Sequence, residues 1–135
     1  MRRFAALFCI VFIVFTSVYN KKKKLKTEKL KDLDFTVVKE EDIPEELQEV
    51  IAAHKEQVMK LTYADQGFLY IVEGYGRQET SGYSIEVKEC FETENAIYFQ
   101  TNLIGPSQDE KIVERESFPY IVVKLQYLDK NIVFQ

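Results

Sequence analysis

The sequence is poor in the residues that build metal and redox sites. Its 135 residues include one histidine and two cysteines. Cys9 lies in an apolar run near the N terminus and Cys90 in a predicted strand, so the two do not form a disulfide framework. There is also no Cys-x-x-Cys, no His-Glu-x-x-His and no alternating Asp/Asn loop, which are the patterns of zinc and calcium sites. The sequence therefore predicts neither a metal nor a cofactor.

The sequence also lacks the neighbouring residues that a nucleophilic catalytic triad would need. No serine, cysteine or second histidine lies near His54 in the sequence, and His54 falls on an apolar helical face, so we expect a core or boundary histidine. Glu79 and Glu86 could in principle form a glycosidase pair, but nothing singles them out among the other predicted surface carboxylates. We therefore expect a protein that is not an enzyme. A hydrolase with an unrecognised carboxylate site is the alternative.

Basic residues are scarce beyond the first 31 positions. Residues 32–135 hold nine basic and 21 acidic side chains, a formal charge of −12. Nucleic-acid binding depends largely on the neutralisation of phosphates, so nucleic acid is excluded as a partner. The other nine basic residues lie in 1–31, and four of them are Lys21 to Lys24. These four lysines either lie along anionic lipid headgroups or form a solvated linker.

A long apolar run occurs only at the N terminus, from Phe4 to Tyr19. Its length is at the short limit of the roughly 17–25 residues that span a bilayer. We expect residues 1–20 to be a transmembrane anchor, with a cleaved signal peptide as the alternative. Residues 21–34 are then a lysine-rich linker. Its lysines favour a cytoplasmic C-terminal side, whereas the short basic start of the chain favours export.

Residues 35–135 predict one β-rich domain. Apolar side chains at helical spacing predict a covering amphipathic helix from about Ile43 to Lys60, with Leu47, Val50, Ile51, His54, Val58 and Leu61 on one face. Alternating runs separated by turn residues predict about six strands, joined mostly by short antiparallel connections. Asp65-Gln66-Gly67 is the clearest hairpin signal among them. The fold class is α+β, mainly antiparallel β, in a sandwich-like or half-barrel sheet.

Glycine is sparse, yet three of the five glycines fall within residues 74–82, between two predicted strands. Because glycine tolerates positive φ and close backbone approach, this segment is a shaped turn. The structural interpretation is a tight β-connection formed by Gly74, Gly76, Gly105 and Pro106. The functional interpretation is a protein-recognition loop, since arginine and tyrosine anchor protein interfaces. The predicted loop residues are Tyr75, Arg77, Gln78, Thr80, Gly82 and Tyr83.

The same segment carries a family resemblance. Residues from about 68 to 135 resemble the C-terminal domain of the protease-complex-subunit PrcB family. The matching elements are Thr80-Ser81-Gly82-Tyr83 entering a strand, a strand ending at Leu103-Ile104-Gly105-Pro106, and an aromatic-Pro-aromatic strand at Phe118-Pro119-Tyr120. Ser81 replaces the first glycine of the usual Thr-Gly-Gly-Tyr. The turn also resembles the loops of chagasin-type cysteine-protease inhibitors, which extend from an immunoglobulin-like sandwich.

The resemblance implies a function. Members of the family look like exported or membrane-tethered proteins, and the family name implies the stabilisation of a protease complex. We therefore expect a membrane-tethered, extracytoplasmic module that binds a protein partner, such as a secreted or membrane protease, without catalysing a reaction. A loop-inserting protease inhibitor is the alternative among binding proteins. For localisation, the expectation is the cell membrane with the domain outside the cytoplasm, and secretion after signal cleavage is the alternative.

Overall fold

A computed structural model describes residues 28–108 and 111–135. These residues form two four-stranded sheets and one α-helix, so the predicted mainly antiparallel α+β class is confirmed. The sheet orders are β1-β5-β6-β8 and β2-β7-β4-β3. The strands are β1 Lys31–Asp32, β2 Thr36–Val37, β3 Val58–Asp65, β4 Phe68–Tyr75, β5 Ser84–Glu92, β6 Ala96–Ile104, β7 Tyr120–Gln126 and β8 Asn131–Phe134.

The structure has eight strands in its described residues, where the sequence predicted about six. Strand β1 lies inside the segment 21–34 that was predicted to be a linker, and it pairs antiparallel with the end of β5. Strand β8 pairs in parallel with β6, whereas every other strand pair of the described residues is antiparallel. A two-residue strand carries almost no periodic signal, which is why β1 was missed.

The helix α1 runs from Glu45 to His54, which is shorter than predicted. The predicted end at Lys60 is wrong because the chain turns at Gln57, whose N–H donates to the His54 carbonyl, and β3 begins at Val58. Apolar residues at helical spacing happened to continue across the turn. Val58, assigned to the buried helical face, is 69% exposed at the start of an edge strand.

The β3–β4 hairpin forms where the sequence predicted it. Gln66 and Gly67 occupy its turn with φ values of 51° and 83°. Positive φ at both central residues is the signature of the tight turn whose twist matches the flanking strands. The eight residue pairs between the strands run without a register shift from Val58 opposite Tyr75 to Asp65 opposite Phe68. This hairpin supplies one half of the second sheet.

Strand β4 is buried on both faces and separates two apolar layers. Leu69 and Ile71 face the other sheet and join a core whose centre is the fully buried Phe99. Tyr70 and Val72 face the opposite way, toward Leu47 and other helix residues. The molecule is therefore a three-layer stack of helix, sheet and sheet. The prediction that the helix covers a sheet is confirmed for Leu47 and Ile51, which are both buried.

No helix in residues 28–108 or 111–135 is long and apolar enough to cross a membrane. The predicted membrane segment, Phe4 to Tyr19, and the lysines that follow it lie outside the described residues.

Candidate functional site

Two loops meet at one end of the sandwich. Residues 76–83 connect β4 to β5, and residues 105–119 connect β6 to β7. Because β5 and β6 form an antiparallel hairpin with Ser84 opposite Ile104, and β7 begins opposite the end of β4, both loops cross between the sheets at the same end. We call this end the loop end. The antiparallel pairing of β5 with β6 therefore brings Gly82, just before β5, and Gly105, just after β6, to the same end of the sheet.

The two loops are joined by backbone hydrogen bonds. Gln78 and Ser117 exchange N–H to carbonyl bonds of 2.8 and 2.9 Å, which form an isolated antiparallel bridge. The Ser81 N–H donates to the Val113 carbonyl at 3.1 Å, and the Val113 N–H donates to Ser81 Oγ at 3.1 Å. The Ser117 hydroxyl donates to the Thr80 carbonyl at 2.7 Å. The predicted recognition loop is therefore fixed by hydrogen bonds to the second loop and does not project freely from the fold.

Arg77 lies on the outer side of this surface. Its Nε donates to a carboxylate oxygen of Glu116 at 2.7 Å, which raises the arginine pKa further above its already high value. Its backbone N–H donates to the Glu56 carbonyl at 3.2 Å. Both side chains of the ion pair are more than half exposed, so the pair contributes little to stability. The guanidinium is thereby held in place while it remains accessible.

The glycines of this region have different roles. Gly76 and Gly82 have φ values of 74° and 91°, a conformation that other residues rarely adopt. A Cβ on Gly76 would also lie 3.2 Å from the backbone of Gln57 and Val58. Gly74 lies within β4 and not in the turn, and the Met59 side chain occupies the space where its Cβ would be. Gly105 and the half-buried Pro106 follow β6 and begin the second loop.

The loop end also exposes aliphatic side chains that the sequence analysis did not single out. Ile104, Ile112 and Val113 are all exposed, and Val113 shares two hydrogen bonds with the recognition loop. The apolar pair Ile112-Val113 inside an otherwise polar loop was the available signal. Around them the two loops and the α1–β3 turn have a formal charge of −2, from the basic residues Lys55, Arg77, Lys111 and Arg115 and the acidic residues Glu56, Glu79, Asp109, Glu110, Glu114 and Glu116.

A buried polar chain lies directly beneath the loop end. The Tyr75 and Thr101 side-chain oxygens are 2.6 Å apart, and the Thr101 hydroxyl lies close enough to the Glu73 carboxyl group to lower its pKa. Glu73 is only 5% exposed, and within the described residues its Oε1 has no hydrogen-bond partner. Burial raises the pKa of Glu73 above its usual value, while Thr101 and the Lys60 ammonium lower it in part. No sequence pattern indicated this group of side chains, since it joins β4 to β6, which are distant in sequence.

The other chemical candidates stay apart. His54 is exposed at the end of α1, and its Nδ1 lies 2.8 Å from the Val50 carbonyl, so the prediction of a core or boundary position is wrong. Glu79 and Glu86 are both exposed, one on the loop and one on β5. Cys90 is buried, which raises its thiol pKa to about 11. Within residues 28–108 and 111–135 no group of His, Cys, Asp and Glu could hold a metal ion.

One known family matches the part of the chain that contains both loops. Residues 69–126 match the family model described as PrcB C-terminal, which confirms the resemblance predicted from the sequence. The matched range begins in β4 and ends with β7, so it includes both loops of the loop end. The match indicates a family of protease-complex-associated subunits. No curated protein and no solved structure matches the chain.

Proposed function

We propose that the protein is a non-catalytic accessory subunit that binds a protein partner, such as a protease, through its loop end. The observation that carries the proposal is the set of hydrogen bonds that joins loop 76–83 to residues 113–117. These bonds hold the loop of Arg77 at the same end of the fold as the exposed aliphatic side chains Ile104, Ile112 and Val113. A rigid surface loses little conformational entropy on binding. Arginine is also one of the residues enriched among those that dominate the binding energy of protein interfaces.

The charge distribution also favours the loop end as the binding surface. The domain from residue 32 onward has a formal charge of −12, and the two loops and the α1–β3 turn account for only −2 of it. Like charges repel, so an acidic partner would approach this less acidic end at a lower electrostatic cost than the remainder of the surface. The matched PrcB C-terminal range covers this end, in agreement with an accessory role in a protease complex.

The proposal includes a membrane tether formed by Phe4 to Tyr19, with the domain outside the cytoplasm. Its support is the uncharged apolar run, the basic start of the chain and the exported character of the family that the chain resembles. Protease treatment of intact protoplasts tests it directly. The domain should be digested without lysis, whereas digestion only after lysis would place the domain in the cytoplasm.

Site-specific photo-cross-linking in native cells tests the binding surface. A photoreactive amino acid at Val113 should yield one discrete cross-linked protein. The matched control is Val133 on the edge strand β8, which is also exposed and aliphatic but lies away from the loop end. The same product from both positions, or a product from Val133 alone, would contradict the proposed surface.

A loop-inserting protease inhibitor makes a different prediction for the same surface. The purified protein would then block a cysteine or serine protease at a one-to-one ratio, and Arg77→Ala would relieve the block. We expect the cross-linked partner to remain active in the complex, because an accessory subunit holds its partner through a surface and leaves the catalytic cleft open.

A further inference from the structure

The described chain enters the domain at the end opposite to the loop end. Strand β1 pairs at the C-terminal end of β5, with Lys31 opposite Glu92, whereas the loop end begins at the other terminus of β5, at Ser84. A nine-residue strand is roughly 27 Å long, so this distance separates the two ends. We call the end near Lys31 the entry end. It includes the β3–β4 hairpin turn, the end of β7 and the start of β8.

The entry end has its own group of exposed apolar side chains. Leu30, Phe35, Phe68 and Tyr127 are all exposed there. Phe35 and Phe68 line one shallow groove, and the Tyr127 N–H donates to the carbonyl of Gly67, next to Phe68. Tyrosine and lysine beside apolar side chains are the composition found at membrane–water interfaces.

The lysines of the entry end lie next to its apolar and acidic side chains, as they do in proteins at a membrane surface. The Lys124 ammonium lies 4.0 Å from the centroid of the Phe68 ring, so its apolar stem runs along the same surface. Lys130 and Lys31 neutralise the carboxylate of Glu92, at 2.8 and 3.8 Å, and lower its pKa. Asp34, Asp65 and Asp129 remain at this end. Contact with zwitterionic headgroups therefore fits better than attraction to anionic lipid.

Chain length restricts how far this end can lie from a bilayer. Only residues 20–27 separate the apolar run Phe4 to Tyr19 from Glu28, where the described part begins. Eight residues span at most about 29 Å when fully extended. If the run is held in a membrane, the entry end lies within about 29 Å of the lipid surface, so its aromatic side chains are within reach of the headgroups.

We propose that the entry end rests on the headgroup region of the bilayer through Leu30, Phe35, Phe68 and Tyr127, so that the loop end points away from the membrane. The proposal rests on the membrane tether of the proposed function. It adds a second contact surface and a fixed orientation of the domain. In this orientation a partner reaches the loop end without competition from the lipid.

The absence of tryptophan from the chain allows a direct test. The full chain, carrying either Tyr127→Trp at the entry end or Val113→Trp at the loop end, is reconstituted into phosphatidylcholine vesicles with brominated acyl chains. Bromine quenches tryptophan fluorescence at short range only. Both original side chains are about half exposed, at 49% and 57%, so the substitutions should leave thermal unfolding unchanged. Leu30→Trp provides a second reporter at the entry end.

We expect strong quenching at position 127 and none at 113 in protein that floats with the vesicles. Floating protein in which no entry-end tryptophan is quenched would overturn the contact while leaving the tether intact. Quenching at position 113 would overturn the orientation. Protein that fails to float would remove the tether, and this inference with it. An equal share of anionic lipid should not increase the quenching at position 127.

Discussion

The hydroxyl groups of Tyr75 and Thr101 lie 2.6 Å apart and join the two sheets directly beneath the loop end. Tyr75 is the last residue of β4 and the first residue of the predicted recognition loop, while Thr101 is buried in β6. A hydrogen bond between sheets at this point fixes the start of loop 76–83. The bond therefore connects the fold to the proposed binding surface.

Tyr75→Phe removes one partner of this bond and should lower the free energy of unfolding by about 1 kcal/mol, a typical net value for a protein hydrogen bond. Thr101→Val removes the other partner. Urea denaturation of both single variants and the double variant measures the coupling between them. If the bond is real, the double variant should be less destabilised than the sum of the two singles. Strict additivity would show that the hydroxyls do not interact.

The ionisation of Glu73 predicts a pH dependence of stability. Its pKa is raised in the folded state by burial, so the folded state holds this proton more tightly than the unfolded chain does. The resulting stabilisation is present at pH values below the usual carboxyl pKa and disappears as pH rises through the folded-state pKa. Glu73→Gln should therefore stabilise the protein progressively more as the pH rises from the usual carboxyl pKa through the raised folded-state pKa of Glu73.

Thermal unfolding of Glu73→Gln at several pH values checks this expectation. Glu89→Gln is the matched control, because Glu89 is an exposed carboxylate on β5. It removes the same formal charge without removing a buried one. Parallel melting curves for the two variants across the pH range would show that Glu73 does not carry the effect.

Helix α1 offers a comparison between adjacent residues. Ile51 is 3% exposed and packs on the sheet, whereas the neighbouring Val50 is 40% exposed. Ile51→Ala should cost about 2–5 kcal/mol of unfolding free energy through lost burial and a cavity. Val50→Ala should cost less than about 0.5 kcal/mol, as surface changes do. Equal small losses in denaturant titrations would mean that the helix is not part of the folded core.

The Cys90 thiol should be inert in the folded protein. Its pKa of about 11 keeps it protonated at neutral pH, and the thiolate is the reactive form. Thiol titration is performed on a Cys9→Ser variant, so that Cys90 is the sole cysteine. We expect no labelling at pH 8 without denaturant and one equivalent in urea. Rapid labelling of the native protein would show that Cys90 is accessible.

The sequence predicts those elements that have local signals. The Asp65-Gln66-Gly67 turn and the strands around it follow from residue type and alternation alone. The end of α1 does not, because apolar spacing continues through Val58, and a local pattern cannot tell a helix from the strand that follows. The parallel pairing of β8 with β6 joins segments more than 30 residues apart, for which the sequence has no local signal.

The candidate site likewise has a part that the local sequence predicted and a part that depends on contacts between distant segments. Its first loop was predicted from glycine spacing, and Gly76 and Gly82 indeed have positive φ. Gly105 and Pro106 were predicted as turn residues, but the contact between the two loops was not. The bonds from Ser81 to Val113 and from Gln78 to Ser117 depend on two crossovers that meet at one end. The sequence analysis did not single out Glu73, which is buried. Only the assembled sheets reveal that Thr101 of another strand lies beside it.

The affinity of Arg77→Ala for the cross-linked partner tests the binding surface most directly. The variant loses an exposed ion pair with Glu116, so its melting temperature should hardly change. Lys88→Ala, which removes an exposed cation from β5, is the matched control. We expect Arg77→Ala to bind about thirtyfold more weakly, the equivalent of about 2 kcal/mol, and Lys88→Ala to bind normally. Equal affinities of Arg77→Ala and the unaltered protein would contradict a recognition role for the loop end.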